Sequence, residues 1–298
     1  MQGMGKRFLL MLVCIILNQG SALGAKTVPT ELQELPAFGV LSRTFDSETL
    51  QYTVEKFTMD GAVCFLTKIW MTDPGRQIRK ATAEWRENIQ IPAHMARQVE
   101  GAVLVINGSG YVSPRYPWIP DNYPGGSADY YYTPLGSLTV TDGEVFRNLE
   151  GVPYYGLTLQ ADGLHLHIGE ENASVLAGHP EQTWSFYVEC PMLLNNEDIL
   201  PAEWAFADRR ARRTVIGRAD SHRYVILSVT DEGKPGISLR RINRFFQDHF
   251  QQEWLYNLDG GPSSALLCRS RNGKRLVTVM GGKAKDADIM AFTEIPNP

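Results

Sequence analysis

The feature that most constrains this fold is a succession of short segments rich in β-branched and aromatic residues, separated by residues typical of turns. This composition and spacing are typical of strands. Ala161, Asp162 and Gly163 predict a tight hairpin turn between two of these strands. The predicted strands cover residues 50–58, 63–71, 102–106, 157–160, 164–168, 185–188, 224–230, 254–258, 265–268 and 276–280.

Two segments stand out as helices. Residues 91–100 form a short helical segment with Pro92 near its start, where proline is tolerated. Residues 238–250 begin with Ser238 as a cap and repeat apolar residues at helical spacing, with the arginines on the other face expected to be solvated. Many strands with few helices predict an α+β fold, as a single domain with a large, mainly antiparallel or mixed β-sheet.

The N-terminal segment has the pattern of a signal peptide. Lys6 and Arg7 precede an apolar run over residues 8–17, and the small residues Ala22 and Gly24 precede a cut before Ala25. The run is shorter than the roughly 20 residues of a membrane-spanning helix, although an uncleaved anchor is the alternative. We therefore expect a signal peptide over 1–24 and one exported domain over 25–298, periplasmic or secreted, with no stable membrane insertion after cleavage.

Charge and cysteine content limit the partners and the cross-links. A formal charge of −4 and a pI near 5.9 argue against a nucleic-acid partner. Three cysteines follow the predicted cut, Cys64, Cys190 and Cys268, so at most one disulfide is expected, and the pairing stays open. Cys64 and Cys268 lie inside apolar runs, which favours buried structural thiols over reactive ones.

Two segments in the first half of the chain are candidates for ligand binding. Asn107 ends an apolar strand and is followed by Gly108, which would let a ligand approach the backbone; an ordinary turn is the alternative. Residues 111–133 then carry seven aromatic residues, beginning with Tyr111, on a proline-rich stretch. Rigid aromatic side chains with a polar tip suit the apolar face of a sugar, although they also pack in cores.

Two further candidate segments lie in the second half. The basic cluster over 209–213 enters a strand, and Arg213 offers a planar fork that matches phosphate or carboxylate; a surface patch is the alternative. Asp259 follows an apolar strand and precedes two glycines and two serines, whose N–H groups and hydroxyls would cradle an oxyanion. A tight turn with a capping aspartate also explains the glycines.

Taken in this order, the segments resemble the phosphodiester glycosidase family over about residues 50–280. The motifs that carry the resemblance are Ile106-Asn107-Gly108, then residues 213–217 (Arg-Thr-Val-Ile-Gly) followed by a strand and Asp231, and finally residues 257–261 (Asn-Leu-Asp-Gly-Gly). The sequence departs from the family pattern at several positions. Pro262 replaces a glycine and removes a backbone N–H from the expected cradle. Ser109 and Tyr111 replace the usual glycine and aromatic pair, and Glu232 separates Asp231 from its glycine.

The resemblance implies an exported hydrolase that cleaves a sugar from an anomeric phosphodiester. Arg213 would neutralise the phosphate, and Asp259 would stabilise the oxocarbenium-like centre or activate water, a role that Asp231 can exchange with it. Asn107 and Thr214 would hold sugar hydroxyls or the attacking water. The expected substrate-binding residues are Gly108, Tyr111, Gly260, Gly261, Ser263 and Ser264.

The competing class is a non-catalytic envelope protein that binds a glycan or a phosphate-bearing polysaccharide. In either case we expect a carbohydrate or phosphoglycan partner and no cofactor. His165 and His167 alternate on one predicted strand and share a face, but the sequence shows no third ligand. The sequence therefore predicts no metal site.

Overall fold

The computed structural model describes residues 30–33, 35–85, 87–113, 131–187 and 189–295. The predicted signal peptide lies outside these described residues. So do residues 114–130, which hold most of the aromatic segment expected to stack on a sugar.

All pairings between the strands of the described sheets are antiparallel. The strands are β1 (Val40–Asp46), β2 (Leu50–Met59), β3 (Ala62–Met71), β4 (Ile78–Thr82), β5 (Ala102–Asn107), β6 (Leu138–Thr141), β7 (Glu144–Asn148), β8 (Pro153–Gln160), β9 (Gly163–Asn172), β10 (Gln182–Trp184), β11 (Pro191–Leu194), β12 (Glu197–Asp198), β13 (Arg213–Arg218), β14 (Arg223–Gly233), β15 (Trp254–Asn257), β16 (Ala265–Arg269), β17 (Leu276–Gly281) and β18 (Asp288–Thr293). The helices are α1 (Pro74–Gln77), α2 (Pro92–Met95), α3 (Ala173–Leu176), α4 (Ala205–Asp208) and α5 (Leu239–His249), with 3-10 turns at Thr30–Leu32, Ala96–Gln98 and Gly261–Ser263.

Two large sheets organise the chain. The first has eight strands in the order β1-β2-β3-β14-β13-β15-β11-β12, and the second has five in the order β17-β16-β5-β18-β4. Smaller sheets are formed by β10-β8-β9 and by β6-β7. The chain passes from the first large sheet to the second between β15 and β16, and residues 258–264 make that crossing.

The main core lies between the two large sheets. Tyr52 and Ile226 of the eight-stranded sheet belong to the same buried cluster as Ile106, Leu266 and Met290 of the five-stranded sheet. Burying an aliphatic side chain of this size stabilises a fold by about 2 kcal/mol. This core therefore fixes the relative position of the strand ends that surround the crossing.

Helix α5 covers the opposite face of the eight-stranded sheet. Because successive strand residues point to opposite faces, Ile216 lies in the inter-sheet core while Val215 packs beneath α5. Ile242 and Phe246 supply the apolar face of the helix. The helix begins as its sequence predicts, because the Arg241 N–H donates to the Ser238 hydroxyl at 3.3 Å.

The predicted α+β class and the large antiparallel sheet are confirmed. The strand predicted over 185–188 is wrong. The strand in this region is β10, which ends at Trp184, and residues 185–187 make no strand pairing. Their backbone groups bond elsewhere: the Ser185 carbonyl accepts from Gly110, and the Phe186 N–H donates to the Tyr256 hydroxyl. The helix predicted over 91–100 is shorter, since it is limited to α2 and the 3-10 turn that follows.

The three cysteines of the described chain, Cys64, Cys190 and Cys268, are free and buried. The prediction of buried structural thiols at Cys64 and Cys268 is confirmed, and burial raises the pKa of each of the three thiols to about 12. Among the described helices, none is long and apolar enough to cross a membrane.

Candidate active site

A corner between the two large sheets brings three predicted site residues together. Asn107 ends β5, Thr214 lies in β13, and Asp259 follows β15. The Thr214 hydroxyl donates to Asn107 Oδ1 at 2.7 Å, and Asn107 Nδ2 donates to the Asp259 carbonyl at 2.8 Å. The Asp259 N–H donates to the Gly108 carbonyl at 3.1 Å. We name these four residues the Asp259 corner.

Asn107 and Thr214 hold the backbone of this corner. Both side chains are fully buried, and Asn107 Oδ1 also accepts the Ala265 N–H at 3.0 Å. The sequence assigned them to sugar hydroxyls or to the attacking water. The structure instead directs their polar atoms to protein groups, and a lost partner in such a buried set costs about 1–3 kcal/mol. They are therefore positioning residues for Asp259.

Gly108 faces a protein carboxylate, where the sequence predicted a ligand. A Cβ built on Gly108 would lie 1.9 Å from Asp288 Oδ1, so no larger residue fits there. Ser109 donates to the same carboxylate, from its N–H at 2.6 Å and from its hydroxyl at 2.9 Å. Lys80 completes the set at 3.1 Å, and it and Asp288 are both fully buried. The departure at Ser109 is thus part of a buried ion-pair network.

Asp259 is half-buried, and its carboxyl accepts the Gly260 N–H at 2.7 Å. Burial raises its pKa to about 6, and the Asp288 charge acts in the same direction. The Ser263 hydroxyl, the Gly260 N–H and the Arg213 charge act in the opposite direction. A carboxyl that titrates near neutrality is suited to exchange protons with a substrate or with water.

The expected oxyanion cradle is wrong for the backbone amides that follow Asp259. The Gly260 N–H bonds the Asp259 carboxylate, and the Gly261 N–H donates to the Arg212 carbonyl at 3.0 Å. The N–H groups of Ser263 and Ser264 donate to carbonyls of the same turn at 3.2 and 3.3 Å. The 3-10 turn consumes these donors. The Ser263 hydroxyl hydrogen-bonds the Asp259 carboxyl, and Ser264 is fully buried.

Arg213 lies beneath the corner as a buried cation. It is 2% exposed, and its Nη2 donates to the carbonyls of Phe206 at 3.2 Å and Arg209 at 3.0 Å. Its guanidinium carbon lies 4.3 Å from the Phe206 ring centroid. No described carboxylate lies within salt-bridge distance of it, and its Nε has no hydrogen-bond partner. Burial lowers the pKa of Arg213 to about 10.

A cluster of half-buried aromatic residues includes Tyr187, on which the Asp259 charge acts, and the sequence analysis did not find it. The ring centroids of Phe186 and Tyr187 lie 4.2 Å apart, and those of Tyr187 and Phe206 lie 5.7 Å apart. Burial raises the pKa of Tyr187, and the Asp259 charge adds to the shift. In the sequence, Phe186 and Tyr187 have the pattern of a buried strand, so no local signal marked them as a surface.

Tyr111 is connected to the region of Asp259 through its contact with Lys285. Its hydroxyl donates to the Lys285 carbonyl at 3.4 Å, and its ring is partly exposed. Lys285 directly precedes Asp286, which is an electrostatic neighbour of Asp259. The expected substrate-binding role of Tyr111 is therefore compatible with its position.

Asp231 lies in a different environment from Asp259. Its carboxylate accepts from Arg212 Nη2 at 2.6 Å, and this hydrogen bond lowers its pKa. The pair lines an open pocket of about 430 Å³ together with Pro262, Ser264 and Lys283. We name this the Asp231 pocket. Asp259 does not line it, so the structure does not bring the two carboxyls into one set.

Asp286 is an acidic residue that the sequence analysis missed. It lies between β17 and β18, is 1% exposed, and has no hydrogen-bond partner for either carboxyl oxygen among the described residues. Burial raises its pKa well above the ordinary value, and the Asp259 charge adds to the shift. The available signal was the alternation of Asp286 and Asp288 at the start of an apolar strand.

The described residues contain no group of three or more His, Cys, Asp or Glu side chains suited to hold a metal. The two histidines of β9 bond other partners. His165 Nε2 lies 2.6 Å from Asp162 Oδ1, and His167 Nε2 lies 2.9 Å from the Thr158 hydroxyl. The shared strand face therefore serves local contacts.

The family model for phosphodiester glycosidase matches residues 100–291. The match covers more than half of the chain and includes Asn107, Arg213 and Asp259. This chain belongs to the phosphodiester glycosidase family.

One solved structure shares the fold at low sequence identity, and two others align less closely. The catalytic domain of zebrafish N-acetylglucosamine-1-phosphodiester alpha-N-acetylglucosaminidase, auto-inhibited by pro-peptide, aligns with a TM-score of 0.61 at 17% identity, over 86% of this chain and 89% of that one. A hypothetical protein from Synechocystis aligns with a TM-score of 0.49 at 14% identity, over 85% and 64%. A putative exported protein from Burkholderia pseudomallei gives 0.45 at 12%, over 78% and 74%. No curated protein matches the chain.

Proposed function

We propose that this chain is an exported hydrolase that cleaves a sugar from an anomeric phosphodiester. Its membership of the phosphodiester glycosidase family supports this class of reaction. The observation that most supports the proposal is the fixed position and raised pKa of Asp259. Buried hydrogen bonds fix its backbone, the residue is half-buried, and burial raises the pKa of its carboxyl to about 6.

In the proposed reaction, the ionised Asp259 accepts a proton from a water molecule whose oxygen bonds to the anomeric carbon. The bond between that carbon and the phosphate oxygen breaks, and its electron pair stays on the phosphate. A phosphate is a good leaving group, so the departing oxygen needs little protonation. The oxocarbenium character of the transition state also favours a carboxylate beside the sugar ring.

The phosphate is proposed to lie on the Arg213 side of Asp259. Arg213 supplies positive charge there, and no described carboxylate neutralises it directly. In an environment of low dielectric constant such a charge acts over several ångströms. The rings of Phe186 and Tyr187 are then the surface for the apolar face of the sugar, with Tyr111 and the Ser263 hydroxyl as further contacts.

The test is a screen of the purified domain over 25–298 against a panel of sugar 1-phosphodiesters, with release of free sugar as the readout. The matching sugar 1-phosphomonoesters and O-alkyl glycosides serve as controls for the leaving group. We expect turnover of at least one phosphodiester and none of the alkyl glycosides. Turnover of alkyl glycosides alone would place the protein in another class of glycosidase.

A non-catalytic glycan or phosphoglycan binder is the second candidate. The observation that favours it is the turn after Asp259, because its backbone amides are already bonded and leave no preformed amide cradle for an oxyanion. Calorimetric titration with the same panel separates the two candidates. Binding without sugar release would support the binder.

Export is part of the proposal and rests on the sequence pattern over residues 1–24. The measurement is N-terminal sequencing of the protein recovered from outside the cytoplasm. We expect a terminus near Ala25. Soluble protein that retained Met1 would refute it.

A further inference from the structure

A second open pocket, of about 470 Å³, lies on the face of the five-stranded sheet that points away from the inter-sheet core. Its floor is apolar and includes Ala102 of β5 and Leu267 of β16, which belong to the cluster that packs beneath α2. Three arginines also line it, one from the 3-10 turn after α2 and two from β16 and the turn after it: Arg97, Arg269 and Arg275. We name it the Arg275 pocket.

The charge of the Arg275 pocket is positive. Among the described residues, no acidic side chain lines it, and none of its three arginines forms an ion pair with a carboxylate. Residues 269–275 alone hold four cationic side chains and no acidic one, in a chain whose formal charge is −4. Such a local excess of positive charge over an apolar floor is suited to an anionic ligand.

The Arg275 pocket adjoins the Asp231 pocket along β17. Leu276 lines the first pocket, Met280 lines the second, and the exposed Thr278 lines both. β17 is an edge strand, so only one of its sides is paired with a described strand. It has six residues, and at about 3.3 Å per residue its length is about 20 Å. The two pockets therefore form one groove along this strand, which we name the β17 groove.

The β17 groove leads to the turn that follows Asp259. Pro262 and Ser264 of this turn line the Asp231 pocket, which is the end of the groove opposite to the Arg275 pocket. A ligand that occupied the whole groove would therefore have one end beside the turn of the Asp259 corner.

The acidic side chains at this end of the groove already face cations. Asp231 bonds Arg212 at 2.6 Å, and Glu232 lies 4.0 Å from Lys56 Nζ. Lys283 also lines this end, is exposed, and forms no ion pair with a described carboxylate. Each end of the groove thus has at least one cation that a ligand can meet.

We propose that the β17 groove binds an extended glycan chain that carries repeated phosphate groups, with one phosphate in the Arg275 pocket and another beside Lys283. Guanidinium groups match pairs of phosphate oxygens, and Thr278 offers a hydroxyl to the sugars between them. Binding of the chain does not depend on turnover. Its role as the part of the substrate beyond the scissile phosphate rests on the proposed function.

The side chains of the groove favour a phosphoglycan over a single-stranded nucleic acid. Proteins that bind single strands stack the bases on aromatic side chains. Among the described residues that line the two pockets, none is aromatic. Nucleic acid is therefore a comparison ligand in the test.

The test measures binding of the purified protein to phosphorylated dextran by isothermal titration calorimetry, at about 0.15 M salt and at lower salt. Neutral dextran of the same length, glucose 6-phosphate and single-stranded oligodeoxythymidine are the comparison ligands. We expect phosphorylated dextran to bind at least about tenfold more tightly than each of them, because the groove holds several of its phosphates at once. Equal affinity for neutral dextran, or tighter binding of oligodeoxythymidine, would overturn the proposal.

Variants at both ends of the groove locate the binding. Arg97→Gln and Arg275→Gln, on separate segments, should each weaken the binding of phosphorylated dextran about fivefold to tenfold. Lys283→Gln should weaken it about twofold to fivefold. The matched control is Arg244→Gln on α5, which lies outside both pockets and should leave the affinity unchanged. All four side chains are exposed, so each variant should keep its fold.

Unchanged affinity in both Arg97→Gln and Arg275→Gln would overturn the proposal, and unchanged affinity in Lys283→Gln would overturn the continuous groove. The outcome is separable from that of the substrate screen. Binding of phosphorylated dextran without release of sugar from any phosphodiester would refute the hydrolase and keep the groove. Cleavage of small sugar 1-phosphodiesters without binding of the polymer would refute the groove and keep the hydrolase.

Discussion

The Asp259 corner and the Asp231 pocket each hold a carboxylate that the sequence marked as a candidate, and the structure gives them opposite properties. Asp259 has a single backbone donor to its side chain, and burial raises its pKa to about 6. Asp231 is half exposed, bonds Arg212 at 2.6 Å, and has a lowered pKa. The pocket around Asp231 is open, but its carboxylate is already neutralised.

This difference shows that a cavity and a reactive group need not coincide. A paired surface carboxylate stays ionised and offers little proton exchange at neutral pH, whatever the volume beside it. A carboxyl with few donors near a buried cation has a protonation state that small changes can move. The predictions below test whether the chemistry follows the carboxyl or the pocket.

The largest expected effect is that of Asp259→Asn on turnover. An amide cannot take a proton from water, so we expect kcat to fall by about 10² to 10⁴ on a confirmed phosphodiester. The fold should persist, because the amide oxygen can still accept the Gly260 N–H. Steady-state kinetics and circular dichroism of the same preparation check both statements. Near-normal kcat would remove Asp259 from the chemistry.

The second prediction concerns the hydrogen bonds that hold the corner. Asn107→Asp keeps the acceptor that bonds Thr214 and Ala265 but loses the donor to the Asp259 carbonyl. We expect the free energy of unfolding to fall by about 1–3 kcal/mol, because a buried group loses its partner and two oxygens are brought together. Urea unfolding measures this loss.

Its control is Asn148→Asp, on an exposed position of β7, which should change the free energy of unfolding by less than about 0.5 kcal/mol. If Asn107→Asp were as stable as this control, the link between Asn107 and Asp259 would carry little energy.

The fold was largely predictable because local sequence and tertiary structure agree along most strands. Residues 63–71 and 224–230 are apolar on both faces because their strands lie between α5 and the inter-sheet core. The exception is 185–187, whose composition is that of a strand. There, hydrogen bonds to Gly110 and Tyr256 replace the ladder, and both partners are distant in sequence.

The site was predictable only in part, for a related reason. A carboxylate after an apolar strand and two glycines marked Asp259 from the sequence alone. Asp286 and Tyr187 gain their meaning from burial and from their proximity to Asp259, and neither property has a local signal. The turn amides after Asp259 also lack a local signal, because the Gly261 N–H donates to the carbonyl of Arg212, which is distant in sequence.

The third prediction uses the pKa of Asp259 as a measure of stability. Its pKa in the folded protein is raised to about 6, above the unfolded value near 3.9. Protonation therefore favours the fold: this contribution is fully present below about pH 4 and is lost as pH rises through about 6.

Asp259→Asn removes this dependence. The free energy of unfolding of the variant should therefore exceed that of the wild-type protein by about 1–2 kcal/mol at pH 8 and by less at pH 4. Urea unfolding at both values gives the comparison, and a gap that widened toward pH 4 would show that the sign is wrong.

The smallest expected effect is that of Asp231→Asn, and it decides between the two regions. The substitution frees Arg212 from its ion pair and leaves the Asp231 pocket open. An exposed ion pair of this kind contributes about 0–1 kcal/mol, so stability should hardly change. If the chemistry belongs to the Asp259 corner, kcat should stay within about threefold of the wild-type value, because no proton of the reaction passes through Asp231. The same experiment gives KM: a lower KM for phosphodiesters with a large anionic aglycone would show that the released Arg212 contacts that part of the substrate. A fall in kcat comparable to that of Asp259→Asn would instead place the reacting carboxylate in the pocket, and the low pKa of Asp231 would then mark a nucleophile or a charge stabiliser that is ionised at neutral pH.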